Sequence, residues 1–100
     1  GTIVDVEKEY NTLPNNFSIK PFPNPFNSST TLEINLPVTG LTELSVYNIL
    51  GQKITTLIDE QKISGNYNIQ FNANQLSSGV YLVVLKQNKL IIKEKIILLK

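Results

Sequence analysis

Pro21-Phe22-Pro23-Asn24-Pro25-Phe26-Asn27-Ser28-Ser29-Thr30 separates a tether before it from a series of short strands after it. Its prolines fix φ and each removes an N–H donor. Lys20, Phe22 and Asn24 each precede a proline and are pushed out of the helical region. The stretch is therefore neither a helix nor a central strand. It is expected to be a stiff, extended rod on which Phe22 and Phe26 both serve as apolar anchors. Asn27 to Thr30 then bond local backbone in turns, ending the rod and starting the first main strand. Pro23, Asn24, Pro25 and Phe26 read as an N-terminal clasp that lies along a β-sandwich and plugs one end of its core.

Downstream, the period is two. Leu32, Ile34 and Leu36 alternate with Thr31, Glu33 and Asn35 until Pro37 stops the run. Leu44 and Val46 alternate with Glu43, Ser45 and Tyr47. Asn48-Ile49-Leu50-Gly51 fits a type I turn closed by a left-handed glycine. Lys53 to Ile58 continues as a strand, but Ile54 and Leu57 fall out of alternation, which implies a bulge or a change of sheet. Asp59 to Gly65 reads as a polar loop. Tyr67, Ile69 and Phe71 alternate with Asn66, Asn68 and Gln70. Asn72 to Ser78 is a connection, with a helical turn expected around Ala73 to Leu76. Gly79 opens Val80 to Leu85, apolar in both phases, which reads as a central strand covered at least partly on both faces. Gln87-Asn88-Lys89 is a hairpin turn, and Leu90 to Leu99 is the last strand, interrupted by Lys93, Glu94 and Lys95.

Upstream, Leu13 to Asn16 is a turn and Phe17 to Lys20 a short edge strand. Residues 1–12 carry Asp5, Glu7, Lys8 and Glu9 and are expected to be a linker or the tail of an upstream domain, leaving 13–100 as the folded unit. Six or seven short strands spaced along the chain, with no long helix, predict an all-β, antiparallel sandwich. It is Ig-like only in the broad sense, since the Cys and Trp marks of antibody domains are absent.

Composition narrows the function. The 100 residues allow one domain, and 41% hydrophobic against 17% charged places the chain among folded proteins. Nine lysines against eight acids give a net charge of +1, and there is no arginine, so nucleic acid is not an expected partner. No apolar run reaches the roughly 18 residues of a membrane span, and no signal peptide is visible. Cysteine and histidine are both absent, which removes the usual nucleophile, general base and zinc ligands. The chain is not expected to be an enzyme or to carry a cofactor.

Individual residues offer little chemistry. Glu33 and Glu43 sit at solvent-facing strand positions, and nothing sets two carboxylates across a cleft as glycoside hydrolysis requires. Asp59-Glu60 lacks the dense oxygen ligands of a calcium loop. Tyr47, Tyr67 and Tyr81 offer a sugar-stacking platform only if exposed and coplanar, and positions inside strands favour packing. Asn16-Phe17-Ser18 and Asn27-Ser28-Ser29 match the glycosylation acceptor pattern, which is common by chance.

The ordered set of motifs is more specific. Leu13-Pro14-Asn15-Asn16-Phe17, then Pro23-Asn24-Pro25-Phe26-Asn27 with Ser29-Thr30-Thr31, then Val46-Tyr47-Asn48 with Leu50-Gly51-Gln52, then Gly65, Leu76-Ser77-Ser78-Gly79-Val80-Tyr81 and Lys95 to Lys100 resemble the type A C-terminal sorting domain of the type IX (Por) secretion system of Bacteroidetes. The Ig-like domain of flagellar hook-capping proteins shares part of the pattern. Lys20-Pro21-Phe22 and Ser28 depart from the family's commoner residues there.

The resemblance implies a secretion signal at the C-terminus of exported cargo such as a peptidase, glycosidase or adhesin. It implies transit through the periplasm, recognition by an outer-membrane translocon, removal by a sortase-like cysteine peptidase in the tether before Leu13, and delivery to the cell surface or medium. A monomer is expected. The signal positions carried over are Gly79, Tyr81, Lys93, Lys95 and Lys100. The last hairpin, Val80 to Leu99, is expected to present an edge read by strand addition, its lysines guarding against indiscriminate pairing. The alternative function is an Ig-like spacer or a carbohydrate-binding accessory module.

Overall fold

Strict alternation in Ser29–Leu36 sends Leu32, Ile34 and Leu36 to one face and Thr31, Glu33 and Asn35 to the other, and that single strand needs a second apolar sheet to cover it. The computed structural model describes residues 17–100. The expected linker over 1–12 and the turn at Leu13–Asn16 lie outside the described residues. Seven strands follow: β1 Ser18–Phe22, β2 Ser29–Leu36, β3 Gly40–Asn48, β4 Lys53–Lys62, β5 Gly65–Asn72, β6 Gly79–Gln87 and β7 Leu90–Leu98. They form two sheets, β1-β2-β5 and β4-β3-β6-β7, with every neighbouring pair antiparallel. The expected all-β, Ig-like sandwich is the observed fold.

The core lies between the sheets. Leu44 and Val46 of β3, Val83 and Leu85 of β6, and Ile96 and Leu98 of β7 face the β2 residues and are fully buried. Phe71 of β5 and Ala73 close one end. Burial of this kind is the main source of stability in a chain of this length. Polar side chains pin the crossing from β2 to β3. The buried Gln87 Nε2 donates to the Val38 carbonyl at 2.7 Å and to Thr42 Oγ1 at 3.2 Å.

The β3–β4 hairpin turns as the sequence requires. Gly51 sits at φ +82°, its amide donates to the Asn48 carbonyl at 3.0 Å, and Asn48 Oδ1 accepts from the amides of Leu50 and Gln52. The two residues out of phase in β4 are bulges. Leu44 pairs with Ile58 and Ser45 with Thr56, skipping Leu57. Val46 pairs with Thr55 and Tyr47 with Lys53, skipping Ile54. Both skipped side chains pack on the core, and β4 does not change sheet.

Two expectations need correction, and two hold in part. Asp59 to Lys62 are not loop but the end of β4, paired with Glu43 to Gly40. On an edge strand both flanks of these side chains reach water, so polarity does not oppose pairing. β6 is central in hydrogen bonding, and its outer face is covered only in part: Val84 is buried there, whereas Val80 and Leu82 are exposed. The segment after β5 makes one turn, Leu76 N to the Ala73 carbonyl at 3.0 Å, without a helix. The proline stretch is not an extended rod. Pro21 belongs to edge strand β1, and β1 runs antiparallel to β2, so the chain reverses direction between Phe22 and Ser29; the Phe22–Pro23 and Asn24–Pro25 peptide bonds are cis.

Candidate functional site

The clasp is held by one strand. Asn24 Nδ2 donates to the Lys95 carbonyl at 3.0 Å, and Asn24 Oδ1 accepts from the Ile97 amide at 3.0 Å. A carboxamide offers the same donor and acceptor as a peptide unit, so the Asn24 side chain acts as a short piece of neighbouring strand. Main chain takes over two residues later. Phe26 N donates to the Ile97 carbonyl at 2.9 Å, and Leu99 N donates to the Phe26 carbonyl at 2.8 Å. Thr30 Oγ1 reaches back to the Pro23 carbonyl at 2.7 Å and holds the fold-back closed. This replaces the local turn bonds expected of Asn27 to Thr30.

Phe26 does plug the core as expected. It is 3% exposed, and its ring meets that of Phe71 at a centroid distance of 6.2 Å. Phe22 does not: it is 67% exposed, because it ends β1 opposite Thr31 with its side chain on the solvent face. The clasp therefore has one aromatic anchor.

This geometry alters the expected recognition edge. β7 is an edge strand, and in an antiparallel strand alternate residues turn both polar groups to the free side. The bonds to Asn24 and Phe26 identify Lys95, Ile97 and Leu99 as that set. The clasp covers the edge from the Lys95 carbonyl onward, and the uncovered part of the free side is at Ile91 and Lys93.

The carried-over signal residues fall into two groups. Gly79 opens β6 opposite Leu98 at φ +152°, where a Cβ would meet nothing within 4 Å. Its glycine serves backbone conformation, not close approach. Tyr81 faces the core at 8% exposure and donates its hydroxyl to the Ser77 carbonyl at 2.7 Å. Lys100 bonds through its amide to Ser78 Oγ at 2.9 Å and through Nζ to the Asn74 carbonyl at 2.6 Å. These residues gather with the clasp at the C-terminal end of β7. Lys93 and Lys95 instead stand on the outer face of the four-stranded sheet, opposite Val84 and Leu82.

Beside Tyr47, that outer face holds apolar residues to which the sequence pattern assigned no functional role. Tyr47, Ile49, Leu82, Val84 and Ile91 line an open groove of ≈ 380 Å³ between the β3–β4 hairpin and β7. Ile49 is 76% and Ile91 51% exposed. The signal was present in β6, whose outward phase is as apolar as its inward one.

The charged pair on this face is Glu43 and Lys53, at 2.9 Å. The Lys53 ammonium, and then the Ser45 hydroxyl, hold the Glu43 carboxyl below the usual carboxylate range, and the carboxylate in turn raises Lys53. Glu33 lies opposite Lys20 on the outside of the other sheet, so Glu33 and Glu43 cannot act on one substrate. Tyr47 is on the outer face, Tyr81 faces inward, and Tyr67 bonds the Ile63 carbonyl from β5, so the three form no common platform. No cluster of ionisable side chains suited to a metal ion occurs among the described residues, and no helix there is long and apolar enough to cross a membrane.

The family model described as secretion system C-terminal sorting domain matches residues 20–99, from within β1 to just past β7. No curated protein matches the chain.

Proposed function

The chain belongs to the secretion system C-terminal sorting domain family, and from that membership we propose how its fold serves as an address. Its role is that of a C-terminal secretion signal, which directs an attached cargo protein through the type IX system to the cell surface or the extracellular space. The match over residues 20–99 carries this conclusion. In the reading advanced here the folded unit runs over 13–100. The cargo passes first through the periplasm, an outer-membrane translocon reads the folded sandwich, and a sortase-like peptidase cuts before Leu13. A segment of polar composition suits such a cut. The hook-capping kinship rests on the shared sequence motifs.

The proposed division of labour follows the positions of the signal residues. Gly79, Tyr81, Lys100 and the clasp residues Pro23, Asn24, Pro25 and Phe26 act by shaping the end of the sandwich. Lys93 and Lys95, exposed on the outer face, are the ones placed to touch a partner. The same observation favours a second reading, an Ig-like spacer, because residues carried over as signals are so largely engaged in holding the fold.

Export separates the two. Residues 13–100 are fused behind a signal peptide and a fluorescent reporter in a type IX-competent bacterium, and cells and medium are fractionated. Reporter on the surface or in the medium is the expected result. A folded fusion retained in the periplasm would favour the spacer.

A further inference from the structure

We propose that the outer face of the β4-β3-β6-β7 sheet is a docking surface for a carboxylate-flanked apolar side chain on a protein of the export machinery. This deepens the export reading and rests on it. The floor of the site is the groove between the β3–β4 hairpin and β7, where Leu82 and Val84 of β6 meet Tyr47, Ile49 and Ile91. An apolar surface of this kind on a small sandwich marks a place of contact. Hairpin side chains wall it on one side and β7 on the other, so it receives a projecting group better than a flat layer.

Charge selects the partner. Lys86 and Lys93 border the groove, and Lys95 stands one cross-strand pair further along, beside Leu82. None of the three has a carboxylate at ion-pair distance among the described residues. Of the acids on this face, Asp59 lies on β4, and Glu43 lies on β3 directly opposite Lys86 and is engaged by Lys53. Lys86 thus shares Glu43 with Lys53, and Lys93 and Lys95 make the β7 side of the apolar floor cationic. A partner with an apolar side chain between two acids would satisfy both, with the charges governing encounter and register and the buried side chain governing residence.

The test compares wild type, K86E/K93E, K86R/K93R and I91N in the reporter fusion, with melting temperature recorded for each purified domain. All these residues are exposed or border open space, so the fold should survive. With wild type exported, K86E/K93E and I91N should each lower export by about tenfold or more at unchanged melting temperature, while K86R/K93R stays within about twofold. Should the charge reversal unfold the domain, K86Q/K93Q replaces it, with the same direction expected. Export of K86E/K93E and I91N at the wild-type level would overturn the docking surface and leave the export reading standing. A folded wild type that is not exported would overturn the export reading itself, and the partner with it. Two further assays address other occupants. Sedimentation of wild type as a dimer that K86E/K93E dissociates would assign the face to a second copy. Flotation of wild type, but not K86E/K93E, with phosphatidylethanolamine–phosphatidylglycerol vesicles would assign it to lipid. Either result would overturn a machinery protein as the occupant.

Discussion

Phe26 and Asn24 show how two residues hold a segment far from them in sequence. Phe26 closes the core beneath β7, so Phe26→Ala should remove about 3–5 kcal/mol in urea unfolding. Phe22→Ala, at the exposed end of β1, should fall within about 0.5 kcal/mol of wild type. Equal effects would mean that both rings anchor the clasp. Asn24→Ala loses the two bonds to Lys95 and Ile97 and should lower stability by about 1 kcal/mol. Faster hydrogen exchange confined to the Ile97 amide region would be its local mark. Tyr81→Phe removes only the hydroxyl bond to Ser77, and a loss of about 1 kcal/mol with export retained is expected. Abolished export by a stably folded Tyr81→Phe domain would make the hydroxyl part of the signal itself. The anchoring role of Phe26 was legible in the sequence, since a large apolar group in a proline segment has few other uses. The strand-like use of the Asn24 carboxamide was not legible, because its partner lies 71 residues away and nothing local specifies it.

At the scale of elements, the strands whose two faces differ in polarity were the readable ones. β2 and β5 alternate cleanly, and the bulges at Ile54 and Leu57 were visible as breaks in phase. The far half of β4 was unreadable because Asp59 to Lys62 carry no apolar face; backbone pairing with β3 alone makes them a strand. β6 was readable only in part, since its apolar outward phase signals cover that the fold supplies at Val84 but not at Val80 or Leu82. The turn joining β3 to β4 depends on Gly51 at φ +82°. Gly51→Val should lower stability by about 1–2 kcal/mol, read from the urea midpoint, and an unchanged midpoint would show that the turn has another accessible form. The Glu43–Lys53 pair spans the same hairpin. The folded Glu43 carboxyl is held below its unfolded value, so its contribution is present above the ordinary carboxylate range and lost as pH falls through the folded value. For Lys53 the folded value is raised, so that contribution is present below the ordinary lysine range and lost as pH rises through the folded value. Melting curves taken from neutral to acid pH should therefore fall less steeply for Glu43→Gln than for wild type.

Over the whole molecule, the two sheets bury one core and leave two kinds of surface. At the C-terminal end of β7, the clasp, Gly79, Tyr81 and Lys100 lock the last strand into place. On the outer face, apolar side chains and lysines remain open. The fold class was legible because hydrophobic period and turn chemistry agree along nearly the whole chain. The division of the signal residues between these two regions was not, because it depends on which edge β7 occupies and on what covers that edge. If this sandwich is itself a sufficient address for type IX export, it must carry a foreign cargo out unaided. The most direct measurement is the export of a signal-peptide–reporter–13–100 fusion in parallel in a parent strain and in one lacking the outer-membrane translocon. Reporter at the surface or in the medium of the parent, and confined to the periplasm of the mutant, is the predicted result. Equal distribution in the two strains, with the domain folded in both, would contradict it.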